Sequence, residues 1–187
     1  MLSPFRVALL ALTIVVPAAW AEQIGLYVAV PVPLTSEGVT RVINRVEAAR
    51  NLAEGRPAQV VFDFNPTDKD VTGSPFGAAA DLAEYIAKLN DVGTIAFVHG
   101  KVTGHLVLPA LACKQIVMSK ESALGEAIKT DDPPLTDRQS TAYPLILKSV
   151  RPQHVAIARK MFEKEGRLAK GQKDGGIWFV DLRDSKS

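Results

Sequence analysis

Four short runs of apolar, β-prone residues recur along the chain, and the segments between the first three carry apolar residues at helical spacing. The runs are Ile24–Val30, Val60–Phe64, Thr94–Val98 and Gln115–Met118. Between the first two, Val39, Val42, Ile43 and Val46 lie on one face of a helix. Between the second and third, Phe76, Ala79, Ala83 and Ile86 do the same. Each connection is long enough to return the chain to the start of a parallel neighbour, so the alternation dictates an α/β fold with a largely parallel sheet and helices packed on it. The strands are continuously apolar, the pattern of a sheet covered on both faces.

Local signals set the boundaries. Pro31 and Pro33 end the first strand, Thr35 or Ser36 caps the first helix, and Gly55 with Pro57 stops it. Ser74 reads as an N-cap with Pro75 at the first helical position. Pro109 falls inside the third helical stretch, which is therefore short, late-starting or kinked. Residues 136–166 are mostly helical with a break at Pro152, and Ile177–Leu182 is a further strand.

With 187 residues, 47% of them hydrophobic, the chain has room for one domain with a real core. Its first 21 residues read as an export signal: Arg6 near the amine, an apolar run from Val7 to Val16, then the small-x-small site Ala19-Trp20-Ala21. Cleavage after Ala21 would leave residues 22–187 as one domain outside the cytoplasmic membrane, periplasmic or secreted. An uncleaved segment would make it a membrane anchor. A formal charge of +2 gives no electrostatic case for nucleic acid. One cysteine excludes a disulfide framework or a four-thiolate zinc site, and Cys113, in an apolar stretch, reads as a small core residue. Three scattered histidines give no metal-binding pair, so neither metal nor cofactor is expected.

Phosphate-binding glycine loops and a Gly-x-Ser-x-Gly elbow are both missing from the sequence. What remains is the turn Val98-His99-Gly100-Lys101-Val102-Thr103-Gly104-His105, where a strand ends and a helix begins near Thr103. A helix N-terminus presents free amide donors and suits a nucleophile or an anion. The plainer reading is that Thr103 caps the helix and Gly104 permits close backbone packing. His105 either bonds locally or contacts a ligand held at that helix start.

This turn, with Leu111-Ala112-Cys113-Lys114-Gln115-Ile116-Val117-Met118 and then Ser122-Ala123-Leu124-Gly125-Glu126-Ala127, resembles the Clp-protease/crotonase superfamily. It is most similar to the membrane-bound Clp-class serine protease domain of NfeD proteins, related to signal peptide peptidase A. That family has an Ala-Ser-Ala-Gly turn, a helix ending Leu-Ala-Ala-Asp, an Ile-Val-Met strand and an Ile-Gly-Ala motif, and the resemblance spans about residues 24–166.

The resemblance implies a Clp-protease/crotonase-like α/β fold and a Ser–Lys dyad with an oxyanion site made by a Gly-Gly pair. Here the serine position holds Gly104, with Thr103 the nearest hydroxyl, and Lys148 is the candidate base. The family's Asp-Thr-Pro-Gly-Gly corresponds to Asp63-Phe64-Asn65-Pro66-Thr67, without either glycine. The implied function is an exported protease-like domain with degraded catalysis. It would bind peptide or protein at a groove that includes Asn65, Gly104 and His105, or assemble as a homo-oligomer or with membrane-bound relatives. The alternative is an active serine- or threonine-type peptidase using Thr103 and Lys148.

Overall fold

The computed structural model describes residues 24–56, 58–67, 74–128, 135–163, 167–173 and 175–182. The expected export signal, residues 1–21, lies outside them. The framework is a four-stranded parallel sheet in the order β1 (Ile24–Ala29), β2 (Ala58–Asp63), β3 (Val92–Val98), β5 (Gln115–Met118). The connecting helices are α1 (Ser36–Ala53), α2 (Phe76–Lys88) and α3 (Val107–Ala112). A two-residue strand, β4 (Lys101–Val102), precedes α3 and pairs in parallel with β6 (Ala123–Leu124). Helices α4 (Asp137–Val150) and α5 (Val155–Phe162) follow, joined by a 3-10 turn at Pro152–His154. An antiparallel hairpin, β7 (Leu168–Lys173) and β8 (Gly176–Asp181), completes the described chain.

The boundary residues act largely as the sequence predicts. The Thr35 side chain accepts from the Gly38 amide and caps α1. The left-handed residues Glu54 (φ 49°) and Gly55 (φ 79°) end it. Helix α3 starts late, at Val107, so Pro109 sits in its first turn, where no amide is missed. Ser74 corrects the expectation. Pro75 occupies the N-cap of α2 without a side-chain bond, and Ser74 Oγ instead accepts from the buried Leu34 amide at 2.9 Å. A long-range tether has displaced a local cap.

Strands that follow one another in sheet order, joined by right-handed crossovers, send every crossover to the same side. The buried face of the sheet accordingly carries Val28, Val60, Phe62, Ala96 and Val98, in one core with Val46 of α1, Leu82 of α2 and Leu108 of α3. The opposite face is apolar too, but Tyr27 and Val117 are 53% and 48% exposed and Val61, Ile95 and Phe97 are half-buried. Cover on both faces was the sequence expectation; the described helices cover one.

Candidate functional site

Three strands of the sheet deliver their carboxyl ends to one place, and β4 with its following turn folds beside them. Ligands bind at this edge of open parallel sheets because the connecting loops, free of ladder constraints, gather there. Two groups of polar residues occupy it.

The first surrounds Asp63, the last residue of β2. Its side chain is buried, and a buried carboxylate needs donors to offset lost hydration. The Asn65 amide donates to Oδ1 at 3.1 Å, His99 Nε2 lies 2.9 Å from the same oxygen, and the Tyr27 hydroxyl donates to Oδ2. His99 stacks on Phe97 with ring centroids 5.0 Å apart. The parallel register brings the three together: Ala29, Asp63 and Phe97 are level, so Tyr27 sits two residues before that row and His99 two after, all on one sheet face. Tyr27's pKa is pushed up to about 12, first by its hydrogen bond to Asp63, then by burial and the nearby negative charge. When Nε2 donates to Asp63, the neutral ring keeps Nδ1 as an acceptor, so the pair has the make-up of a carboxylate-oriented general base.

The second group is the turn before α3. Thr103 is buried in extended conformation (φ −132°, ψ 177°) and makes no side-chain cap. Gly104 follows at φ +63°, a left-handed conformation, with its amide bonded to the Glu126 carbonyl at 3.0 Å and nothing within 4 Å of where a Cβ would stand. Glycine is required here by backbone conformation rather than by close packing. His105 Nδ1 lies 3.0 Å from the Tyr143 hydroxyl, with Phe76 edge-on to its ring at 5.3 Å. Burial pushes the Tyr143 phenol up, so it stays neutral.

Asn65 links the groups. Its backbone binds Asp63, and its side-chain nitrogen donates to the Lys101 carbonyl at 3.4 Å. Its Oδ1 is buried without a hydrogen-bond partner. Lys101 pairs with Glu126 at 3.4 Å, closing the β4–β6 side.

Of the residues singled out from sequence, Asn65, Thr103, Gly104 and His105 gather around this edge. Lys148 is exposed near the C-terminal end of α4. It lies five residues beyond Tyr143, which at 100° per residue is about 140° around the helix from the side chain touching His105. Cys113 is fully buried, its thiol pushed up by burial, as a core residue should be. Sequence reasoning missed the Tyr27–Asp63–His99 cluster. Its one signal was a carboxylate inside Val61-Phe62-Asp63-Phe64, an apolar strand with no evident partner for a charge. Among the described residues no cluster of three or more His, Cys, Asp or Glu side chains is placed to hold a metal ion, and no helix is long and apolar enough to cross a membrane.

No family model matches the chain, and neither the curated proteins nor the solved structures give a match.

Proposed function

We propose that this chain is an exported Clp-class protease-like domain that has lost its peptidase chemistry and binds a peptide or protein segment at the carboxyl edge of its sheet. One observation carries the reading: the turn position that resembles the family's nucleophile is Gly104, held at φ +63°, where a serine would be strained. Three further features support it. Thr103, the nearest hydroxyl, is buried; Lys148 is exposed on another side of α4; and Pro66, in the segment similar to the oxyanion loop, has no amide to offer. Losing a single oxyanion donor costs about 100- to 1000-fold in rate. A threonine–lysine peptidase draws no support from these placements.

The groups at the edge suit recognition of a backbone. Asn65, His105 and the open space over Gly104 offer polar contacts beside the apolar Phe76. The test is fluorophosphonate labelling and casein turnover, alongside fluorescence-polarisation binding of a labelled peptide library. The expected result is no labelling, no turnover and saturable binding weakened by Asn65→Ala. Labelling abolished by both Thr103→Ala and Lys148→Ala would restore the peptidase. Turnover lost in His99→Ala but kept in Thr103→Ala would instead assign chemistry to the Asp63–His99 pair, and failure to bind any peptide would end the recognition reading.

A further inference from the structure

A carboxylate at the end of an apolar strand is costly to bury, and Asp63, with a side chain only 3% exposed, pairs with no lysine or arginine among the described residues. Its donors are the Asn65 amide, the neutral Tyr27 phenol and the His99 imidazole. Such breaks with local rules concentrate where a protein does chemistry. A carboxylate only accepts, so His99 Nε2, 2.9 Å from Oδ1, carries the ring proton and the neutral ring keeps a lone pair on Nδ1. That nitrogen makes no hydrogen bond among the described residues, and the His99 side chain is 26% exposed, open enough for water. Phe97 stacks on the ring and restricts its orientation.

Continuing the β3–β5 register one residue beyond Val98 and Met118 sets His99 beside Ser119. Two bonds hold them there: the Ser119 amide donates to the Val98 carbonyl at 2.9 Å, and its hydroxyl to the His99 carbonyl at 3.1 Å. The chain then turns sharply, closed by the Ser122 amide on the Ser119 carbonyl at 3.1 Å. The central amides of such a turn, here those of Lys120 and Glu121, are not used by it. Neither donates to anything among the described residues, and both residues are exposed. A base with a free lone pair thus stands next to the strand end that carries an unpaired backbone donor, the two parts that ester hydrolysis needs. The Ser119 hydroxyl is spent on the His99 carbonyl and offers no proton to Nδ1, which leaves water as the nucleophile. Beside the imidazole the sheet face is apolar: Phe97 is half-buried, and Val117, level with it, is 48% exposed. Lys101 is spent on Glu126, so this side favours an uncharged acyl group. An alcohol also leaves more readily than an amine, which suits a site with few aimed donors.

We infer that His99 is a general base that hydrolyses small, uncharged carboxylic esters with apolar acyl groups, with Asp63 as its positioning residue and the Lys120 amide as oxyanion donor. Nδ1 takes a proton from water as the water oxygen bonds to the ester carbonyl carbon. The Lys120 amide holds the resulting oxyanion. Its collapse breaks the bond to the alcohol oxygen, and the imidazolium returns the proton to that oxygen, leaving acid and alcohol. No acyl-enzyme forms, so a fluorophosphonate finds no serine to label. The site uses neither Gly104 nor His105 and stands apart from the peptide-binding reading.

The test follows 4-nitrophenyl butyrate hydrolysis by the full chain, with free imidazole at equal concentration as the baseline. The expected result is saturable turnover at least 100-fold above that baseline. His99→Ala should lose about 100-fold or more. His99→Gln, whose amide still donates to Asp63, should lose as much while keeping the denaturation midpoint. Asp63→Asn should lower kcat with little change in KM, since Asp63 orients the ring without touching the ester. Lys120→Pro removes the donor at a turn position that proline favours and should cost about 100- to 1000-fold in kcat. A rate no better than free imidazole, unchanged kcat in Asp63→Asn, or full turnover in His99→Gln or Lys120→Pro would overturn the proposal. So would fluorophosphonate labelling of Ser119 with turnover lost in Ser119→Ala, which would make the serine the nucleophile.

Discussion

Glycine 104 and the tyrosine at position 27 show how single residues fix what this site can do. At φ +63° a Cβ clashes with the backbone of its own residue, a cost of about 1–2 kcal/mol that open space around the position does not remove. Gly104→Ser should therefore lower stability by about 1 kcal/mol and create no peptidase activity, measured by denaturant midpoint and peptide turnover. A stable, active Gly104→Ser protein would show that the turn relaxes to present the hydroxyl. Tyr27 makes a second prediction. Its pKa of about 12 in the fold lies above the ordinary value of 10.0, so folding favours the neutral phenol. The stabilisation is complete below pH 10 and fades as pH rises from 10 through about 12. The other two tyrosines, Tyr85 and Tyr143, are also raised, each mainly by burial. Absorbance titration at 295 nm should thus show no phenol ionising near 10 in the folded protein. Asp63→Asn, which removes the charge and weakens acceptance from Tyr27, should return one phenol towards 10.

At the scale of elements, the most informative contact is the one between Ser74 and the loop leaving β1. The Leu34 amide is buried and Ser74 Oγ is its acceptor, forty residues away. Ser74→Ala should cost about 1–3 kcal/mol, the penalty of an orphaned buried donor, read as a lower denaturation midpoint without loss of helix signal. Had Ser74 been only an N-cap, Ser74→Gly would cost a few tenths of a kcal/mol; a full loss in Ser74→Gly separates the tether from the cap. This contact also marks where sequence reading runs out. The four core strands and the helices α1, α2 and α4 were legible because each has a run of apolar residues with one dominant period, and because Thr35, Pro109 and Pro152 punctuate them locally. Strand β7, Leu168-Ala169-Lys170-Gly171-Gln172-Lys173, was not legible. It has hardly any apolar content and becomes a strand only by pairing with Ile177–Val180. Strands β4 and β6 are two residues each, too short for any periodicity. In the site, Asn65, Gly104 and His105 were found through the turn and its resemblance. The Tyr27–Asp63–His99 cluster depends on register between three strands, which no local pattern encodes.

Across the whole molecule, stability is distributed unevenly, and the unevenness separates the sheet from the hairpin. Strands β2 and β3 are each bonded on both sides, and their inward residues Val60, Phe62, Ala96 and Val98 are almost completely buried beneath three helices. Opening them exposes the core, so their amides should exchange only through global unfolding. Among the described residues the β7–β8 hairpin pairs with no other strand; a lone two-stranded hairpin is marginal in water, so this one relies on α5 and the turn at Pro152–His154. Its opening leaves the central core intact and costs correspondingly less. In native-state hydrogen exchange, amides of Val60–Phe62 and Ile95–Phe97 should be protected by the full unfolding free energy. Those of Ala169–Gln172 and Ile177–Val180 should exchange at least 100-fold faster, a difference of about 2.8 kcal/mol at 1.4 kcal/mol per factor of ten. Phe179→Ala, which removes the ring beside His154, should speed hairpin exchange further while leaving β2 and β3 unchanged. Equal protection in both regions, or loss of sheet protection in Phe179→Ala, would mean that hairpin and sheet unfold as one cooperative unit.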